Sequence, residues 1–389
     1  MKRILCLSLV LILAAALLSG CGRKPIQLEE AEDAYFNPAA NAVKAGDHLF
    51  FLDMQIMAGR KFHYVDLSSG ETMPLCAKPE CTHKGSDCMA YADNHAGSVG
   101  LLISDGLLYW IKNELPAGGH TLYSMLSDGS GRKAVNKLDG EIFPGSFNID
   151  SAQISNGALF VCGRANTVTD GEPIYAVRVF SQPLSSEKGE LIYSSEGSQP
   201  WIAGRIHSGY FYFMESDLVD YELEICSLRL FRYDPSSKEL ICLFDGRADN
   251  VYDKMVVTDD GILIGGYSNI LKFSFSTGTL ETFFSPMEKF GTAGAADLGE
   301  DRIICWLNRT DLVILDHEGN EIVSSSVDPE LFSYPKWGRS FIGCSGRKAY
   351  YNMVVRAENV QTHLYIVEID LDNAGLRILW DEPERAQGQ

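Results

Sequence analysis

The sequence predicts an all-β chain folded as a β-propeller of seven four-stranded blades. Three observations carry this: a four-strand meander over residues 255–284, the recurrence of its first hairpin along the chain, and a second hairpin behind each recurrence. In the meander, apolar residues 255–258 are followed by Asp260-Gly261, a pair suited to a tight turn with positive φ, and residues 262–264 answer as the return strand. Ser268-Asn269 turns the chain again. Leu271, Phe273 and Phe275 alternate as a third strand, Ser276-Thr277-Gly278 reverses it, and residues 280–284 close the sheet. One such sheet cannot bury both faces alone, so it needs neighbours of its own kind, which is the logic of radial repetition.

Taken in order, the chain opens on residues 1–20, where Lys2 and Arg3 precede an apolar run over residues 4–18 and small residues follow. This is the pattern of a secretory signal and is too short to span a bilayer, which takes about 20 apolar residues. Leu18-Ser19-Gly20-Cys21 resembles the bacterial lipobox. That resemblance implies acylation of Cys21, which becomes the mature N-terminus held by lipid on the outer side of the cell membrane. Removing Lys2 and Arg3 takes the net charge from −19 to −21. So acidic a body argues against nucleic acid and is repelled by anionic headgroups, leaving the lipid to do the anchoring. Residues 21–41 read as a short charged tether on which no element need be placed, residues 42–383 as the propeller, and residues 384–389 as a disordered tail.

Within the propeller the first hairpin begins near Asn41, Gly100, Ala152, Gly204, Met255, Ala295 and Ser340. Six copies place a glycine at the turn, Gly46, Gly106, Gly157, Gly209, Gly261 and Gly346, and the sixth in order uses Gly299-Glu300-Asp301. The second hairpins turn at Gly70, Gly129, Gly189, Pro235, Gly278, Gly319 and Gly375. The absence of distinct capping repeats favours a closed ring over an open solenoid.

Units such as Ile103-Ser104-Asp105-Gly106-Leu107-Leu108-Tyr109-Trp110, followed by Leu122-Tyr123-Ser124-Met125-Leu126-Ser127-Asp128-Gly129, resemble a bacterial propeller family described as similar to the low-density-lipoprotein-receptor propeller. The likeness covers residues 42–380, and several members of that family are lipoproteins. The receptor's Tyr-Trp-Thr-Asp signature is missing apart from Tyr109-Trp110, so the receptor's ligand habits are not implied.

Chemistry is sparse in this sequence. It contains no Gly-x-Ser-x-Gly elbow, no sialidase box, no quinoprotein docking motif and no phosphate-cradling glycine loop. Acidic residues 217–224 read as a solvated loop, residues 370–373 as a hairpin turn rather than a calcium loop, and Cys162, Cys226, Cys242, Cys305 and Cys344 as buried thiols within strands. His48, His207 and His363 read as core or edge residues. The exception is Cys76, Cys81, His83 and Cys88, four soft ligands in one short segment. They suffice for a closed structural zinc site, while the spacing of four, one and four residues and the oxidising location admit a disulfide plus a free thiol instead. This segment is expected to connect the first and second blades, and no cofactor other than zinc is indicated.

The function expected is a binding or scaffolding module for a peptide, glycan or protein partner, with a carbohydrate-active hydrolase or lyase as the alternative. Loops between second and third strands should share a face with the cysteine segment, at residues 113–119, 164–173, 215–224 and 356–362. Glu114, Thr167, Asp170, Asp217, Asp220, Tyr221 and Glu358 are the candidate contacts there, opposite a face of tight Asp-Gly-type turns.

Overall fold

The computed structural model describes residues 25–28, 34–36 and 42–381. Within the last span it leaves out 54–59, 79, 84–86, 94–98, 115–117, 145–146, 170–171, 221–224, 267–268, 291–294, 300–301, 308–310, 327–335 and 357–361. Seven antiparallel sheets form, each with four strands adjacent in chain order, as blades over residues 42–93, 99–137, 147–197, 200–249, 252–284, 295–326 and 336–381. The meander of the fifth blade lies where the alternation placed it, in strands Tyr252–Val257, Gly261–Gly266, Ile270–Ser274 and Leu280–Phe284. Among the described residues no helix is long and apolar enough to cross a membrane.

The ring closes through its cores. First strands of blades 1 to 6 touch in succession around the axis, and that of blade 7 touches that of blade 1, while fourth strands such as Glu190–Gly197 and Glu239–Asp249 alternate toward solvent at the rim. Apolar clusters fill the gaps between sheets. Leu49, Phe51 and Val65 of blade 1 pack with Ile342, Tyr350 and Ile366 of blade 7, and Trp306 of blade 6 is buried with Val256 of blade 5 and Tyr351 of blade 7. The four meander strands of every blade are contiguous in sequence, so closure rests mainly on packing between blades. Two bonds stitch the seam, Thr72 Oγ1 to the Leu379 carbonyl at 2.9 Å and Arg377 to the Leu67 carbonyl at 2.9 Å.

The turn chemistry explains most of the repeated glycines and corrects one. Asp105-Gly106, Asn156-Gly157 and Ser208-Gly209 have positive φ at both residues, the geometry of two-residue hairpins whose twist matches their strands. Gly261, expected to need positive φ, does not have it. A Cβ there would lie 2.0 Å from the Phe273 carbonyl oxygen, so close approach of the third strand selects that glycine.

Three further expectations change. Segment 21–41 is more than a tether. Ala34–Phe36 forms a fifth strand on the inner edge of blade 7, and Leu28 is buried between blades 1 and 2. Segments 164–173 and 215–224 are not loops over most of their length. Their blades extend them into paired strands, Ala158–Thr169 with Glu172–Pro183 and Tyr210–Asp220 with Ile225–Asp234. Finally, Cys242 lies exposed on the rim, whereas Cys162, Cys226, Cys305 and Cys344 are buried as expected.

Candidate functional site

The cysteine segment is not the connection between blades 1 and 2. It interrupts the outer strand of blade 1. Strand Thr72–Pro74 pairs with the third strand, Arg60–Asp66, and Tyr91–Asp93 resumes along that same strand. Phe62 marks where the chain leaves and rejoins: its carbonyl accepts from Leu75 N at 2.8 Å and its N–H donates to the Ala90 carbonyl at 2.8 Å. Residues 76–89 are therefore a closed excursion from one sheet edge, and blade 2 presses on its base. A Cβ at Gly129 would lie 2.0 Å from the Leu75 carbonyl oxygen. Arg132 donates to the Tyr91 carbonyl at 2.5 Å and the Met89 carbonyl at 2.8 Å, with its guanidinium 5.0 Å from the Trp110 ring centroid.

Inside the excursion the four predicted ligands meet. One ligand atom from each of Cys76, Cys81, His83 and Cys88 lies within 4.8 Å of all the others. His83 Nδ1 is 3.5 Å from Cys88 Sγ, close to the ~3.5 Å edge that bonds of about 2.3 and 2.0 Å make in a tetrahedral zinc site. His83 takes positive φ, which turns the chain back so that residues two and five positions away share its neighbourhood. All three thiols are unpaired, and Cys88 is 3% exposed. Burial pushes the Cys88 thiol up to about 11. Burial opposes ionisation of Cys76 as well, but N–H groups of Lys78 and Met89 with the neighbouring thiols outweigh it and hold Cys76 below the ordinary thiol range. Three thiols and an imidazole in a pocket of this size form a Cys3His set able to hold a metal ion.

The expected binding-face residues fare differently. Thr167 is in strand, paired with Ile174. Asp217 is engaged rather than open, since its carboxylate accepts from Ser198 N at 3.3 Å and Gln199 N at 2.8 Å and so fixes the link from blade 3 to blade 4. Asp220 pairs with Ile225 at the base of the hairpin tip. Glu114 accepts from the Tyr123 hydroxyl at 3.0 Å and borders a cavity of 480 Å³ between blades 2 and 3. Cys21, Asp170, Tyr221 and Glu358 lie outside the described residues.

Three arrangements went unread in the sequence. Glu215, 1% exposed, binds Tyr193 OH at 2.6 Å, Ser195 Oγ at 2.7 Å and Arg229 at 2.9 Å, joining blades 3 and 4. Asp150 and Asp253 sit on bulges of the innermost strands of blades 3 and 5, where the register slips by one residue. The surrounding protein desolvates and so raises both carboxyls, although Asp150 is only half-buried and Asp253 keeps an exposed surface. Arg164 opposes this at Asp150 with bonds of 2.8 and 2.6 Å, and Lys254 opposes it at Asp253. A slipped alternation around Ile149 and Ala152 is the sequence signal that would have exposed the first bulge.

His120 is the third. It is 3% exposed beside Phe143 and the cavity, hydrogen-bonded to the Phe147 carbonyl, and its Nδ1 has no partner among the described residues. Burial lowers it to about 4. The unfolded chain takes up this proton near pH 6.5 and the folded chain does not, so stability is complete above 6.5 and declines as pH falls toward 4, by about 3 kcal/mol. Urea midpoints at pH 7.5 and 4.5 check this. The wild type should lose more than His120→Gln across that interval, and equal losses would contradict the assignment.

No family model matches this chain, and no curated protein sequence is significantly similar to it. Solved structures do share its fold. The chain is similar to a puromycin-hydrolyzing peptidase of Mycobacterium tuberculosis (10% identity, TM-score 0.56), covering 92% of this chain and 56% of that one. It is also similar to the β-propeller domain of the Trilobed protease from Pyrococcus furiosus (11%, TM-score 0.51), covering 91% and 100%. A family PL25 polysaccharide lyase, an ulvan lyase, matches at 8% identity and TM-score 0.50, covering 91% and 98%. The chain thus spans little more than half of the peptidase. These likenesses define the class, a seven-bladed β-propeller.

Proposed function

We propose that this chain is a lipid-anchored, extracytoplasmic binding or scaffolding propeller, with a structural zinc ion held by Cys76, Cys81, His83 and Cys88. The observation that carries the binding reading is the pair of long hairpins on adjacent blades. Middle strands of 12 and 12 residues in blade 3 and 11 and 10 in blade 4 stand beside strands of 6 and 5 in blade 5. At about 3.3 Å per residue the surplus raises both hairpins more than 10 Å above that of blade 5, and both also outreach the middle strands of 9 and 9 residues in blade 7. Strand pairing holds each one stiff, so a ligand meets a preformed ridge rather than a loop it must order. The partner is a peptide, glycan or protein, not a nucleic acid, given the net charge of −19.

The enzymatic reading, a carbohydrate-active hydrolase or lyase, is favoured by one separate observation, the two carboxylates with raised pKa on inner strands, Asp150 and Asp253. Activity on polysaccharide that Asp253→Asn abolishes without loss of folding would select it. Capture of a partner from envelope extracts by a form trimmed of neither hairpin, with no turnover of glycans, selects binding. Anchoring has its own test. Acyl chains contribute about 0.8 kcal/mol per buried methylene, so Cys21→Ala should move the protein from the membrane to the soluble fraction at unchanged abundance. Retention in the membrane would remove the lipid from the account.

A further inference from the structure

Blade 7 is complete without Ala34–Phe36. Its four strands all come from residues 336–381, and the three N-terminal residues are added antiparallel on the inner edge of Lys336–Ser345, with Ala34 opposite Ser345, Tyr35 opposite Cys344 and Phe36 opposite Gly343. The inner edge of a blade presents backbone N–H and C=O groups that no strand of its own sheet satisfies, which makes it a template for an extended chain. Among the described residues only blade 7 has that edge filled.

The segment that fills it is moored elsewhere. Ser127 Oγ donates to the Ile26 carbonyl at 2.6 Å and Leu28 is buried with Trp110 and Cys88. Mooring residues 26–28 keeps 34–36 close to its edge, so effective concentration adds to the modest intrinsic affinity of a three-residue ladder. Residues 343–345 are Gly-Cys-Ser, small enough for close approach, and the register places Phe36 opposite Gly343.

We infer that the inner edge of blade 7 at residues 343–345 is a strand-addition site for an extended peptide carrying adjacent aromatic residues, and that residues 34–36 are its resident occupant, displaced when such a peptide arrives from a partner. This rests on the binding reading above and names its ligand class as peptide. The edge lies apart from the hairpin tips, so either site can fail while the other stands.

The probe is a dye-labelled synthetic peptide of residues 31–40, titrated into the full chain. In Ala34→Pro/Tyr35→Pro the resident strand cannot donate to the ladder, and the peptide should bind at least tenfold more tightly than to the wild type. In Tyr35→Cys, oxidation should join the new thiol to Cys344, its direct cross-strand partner; peptide binding is then lost, and dithiothreitol restores it. Equal binding to the wild type, the proline variant and the oxidised form would overturn the inference. So would failure of the engineered cysteine to cross-link Cys344 in folded protein, a readout that stands even if the proline variant does not fold.

Discussion

Protein purified without chelator should carry one zinc ion per chain, and Cys88→Ala should carry none. Cys88 is the most buried of the four ligands and lies 3.5 Å from His83 Nδ1, so its removal opens the closed coordination shell to water. His83→Ala leaves three thiolates and should retain well under half the metal. In both variants the propeller should stay folded, because the excursion leaves and rejoins at Phe62 and the sheet beneath it is continuous. Bound structural zinc is worth ~10 kcal/mol or more in small peptides. With zinc bound at this site the stabilisation would be local to the segment under Arg132, so amide exchange of residues 76–89 should be faster in metal-free than in zinc-loaded protein while that of blade 5 does not change. Absence of stoichiometric zinc, together with a mapped bond between any two of the three cysteines, would replace the metal by a disulfide.

Glu215→Ala should destabilise the fold by about 3–5 kcal/mol, the range for breaking a buried ion pair from one side. Its carboxylate accepts from Tyr193, Ser195 and Arg229, and truncation leaves three donors at the junction of blades 3 and 4 without their acceptor. Glu215→Gln keeps the volume and an acceptor oxygen and should lose less. Denaturant titration of the two variants checks the order. A midpoint for the alanine variant within error of the wild type would show that solvent replaces the carboxylate there at no cost.

The repeat was legible because each blade spells out its own turns. Asp105-Gly106, Asn156-Gly157 and Ser208-Gly209 occupy conformations that few other residue pairs tolerate, so local chemistry alone located three hairpins. The Cys3His group was legible because its four members are close in sequence. The excursion's place in the sheet was not: strand Tyr91–Asp93 is short, and its pairing with Arg60 and Lys61 spans some thirty residues with no pattern to announce it. Residues 164–173 and 215–224 were expected as loops because polar and acidic residues interrupt the apolar alternation there. In the fold Gly163 is selected by the Asn148 carbonyl oxygen, 2.5 Å from where its Cβ would be, and Arg164 by Asp150. Glu215 read as part of a solvated acidic loop because its three partners lie on other strands. Nothing in residues 34–36 themselves marks them as a strand, since their partner is more than three hundred residues away.

The binding reading stands or falls on the two hairpins. Residues 166–175 and 219–225 can each be replaced by Asn-Gly, which closes the ladder at Ala165 with Ala176 and at Leu218 with Cys226, pairs already opposed in the native register. Quantitative capture from cross-linked envelopes, comparing the full chain with this trimmed form, is the measurement to make. The account predicts that the partners enriched by the native chain fall at least tenfold with the trimmed form, while a matching change at the Ser236-Ser237 turn on the opposite side leaves them unaltered. Undiminished capture by the trimmed form, or loss only on changing the opposite turn, would contradict it.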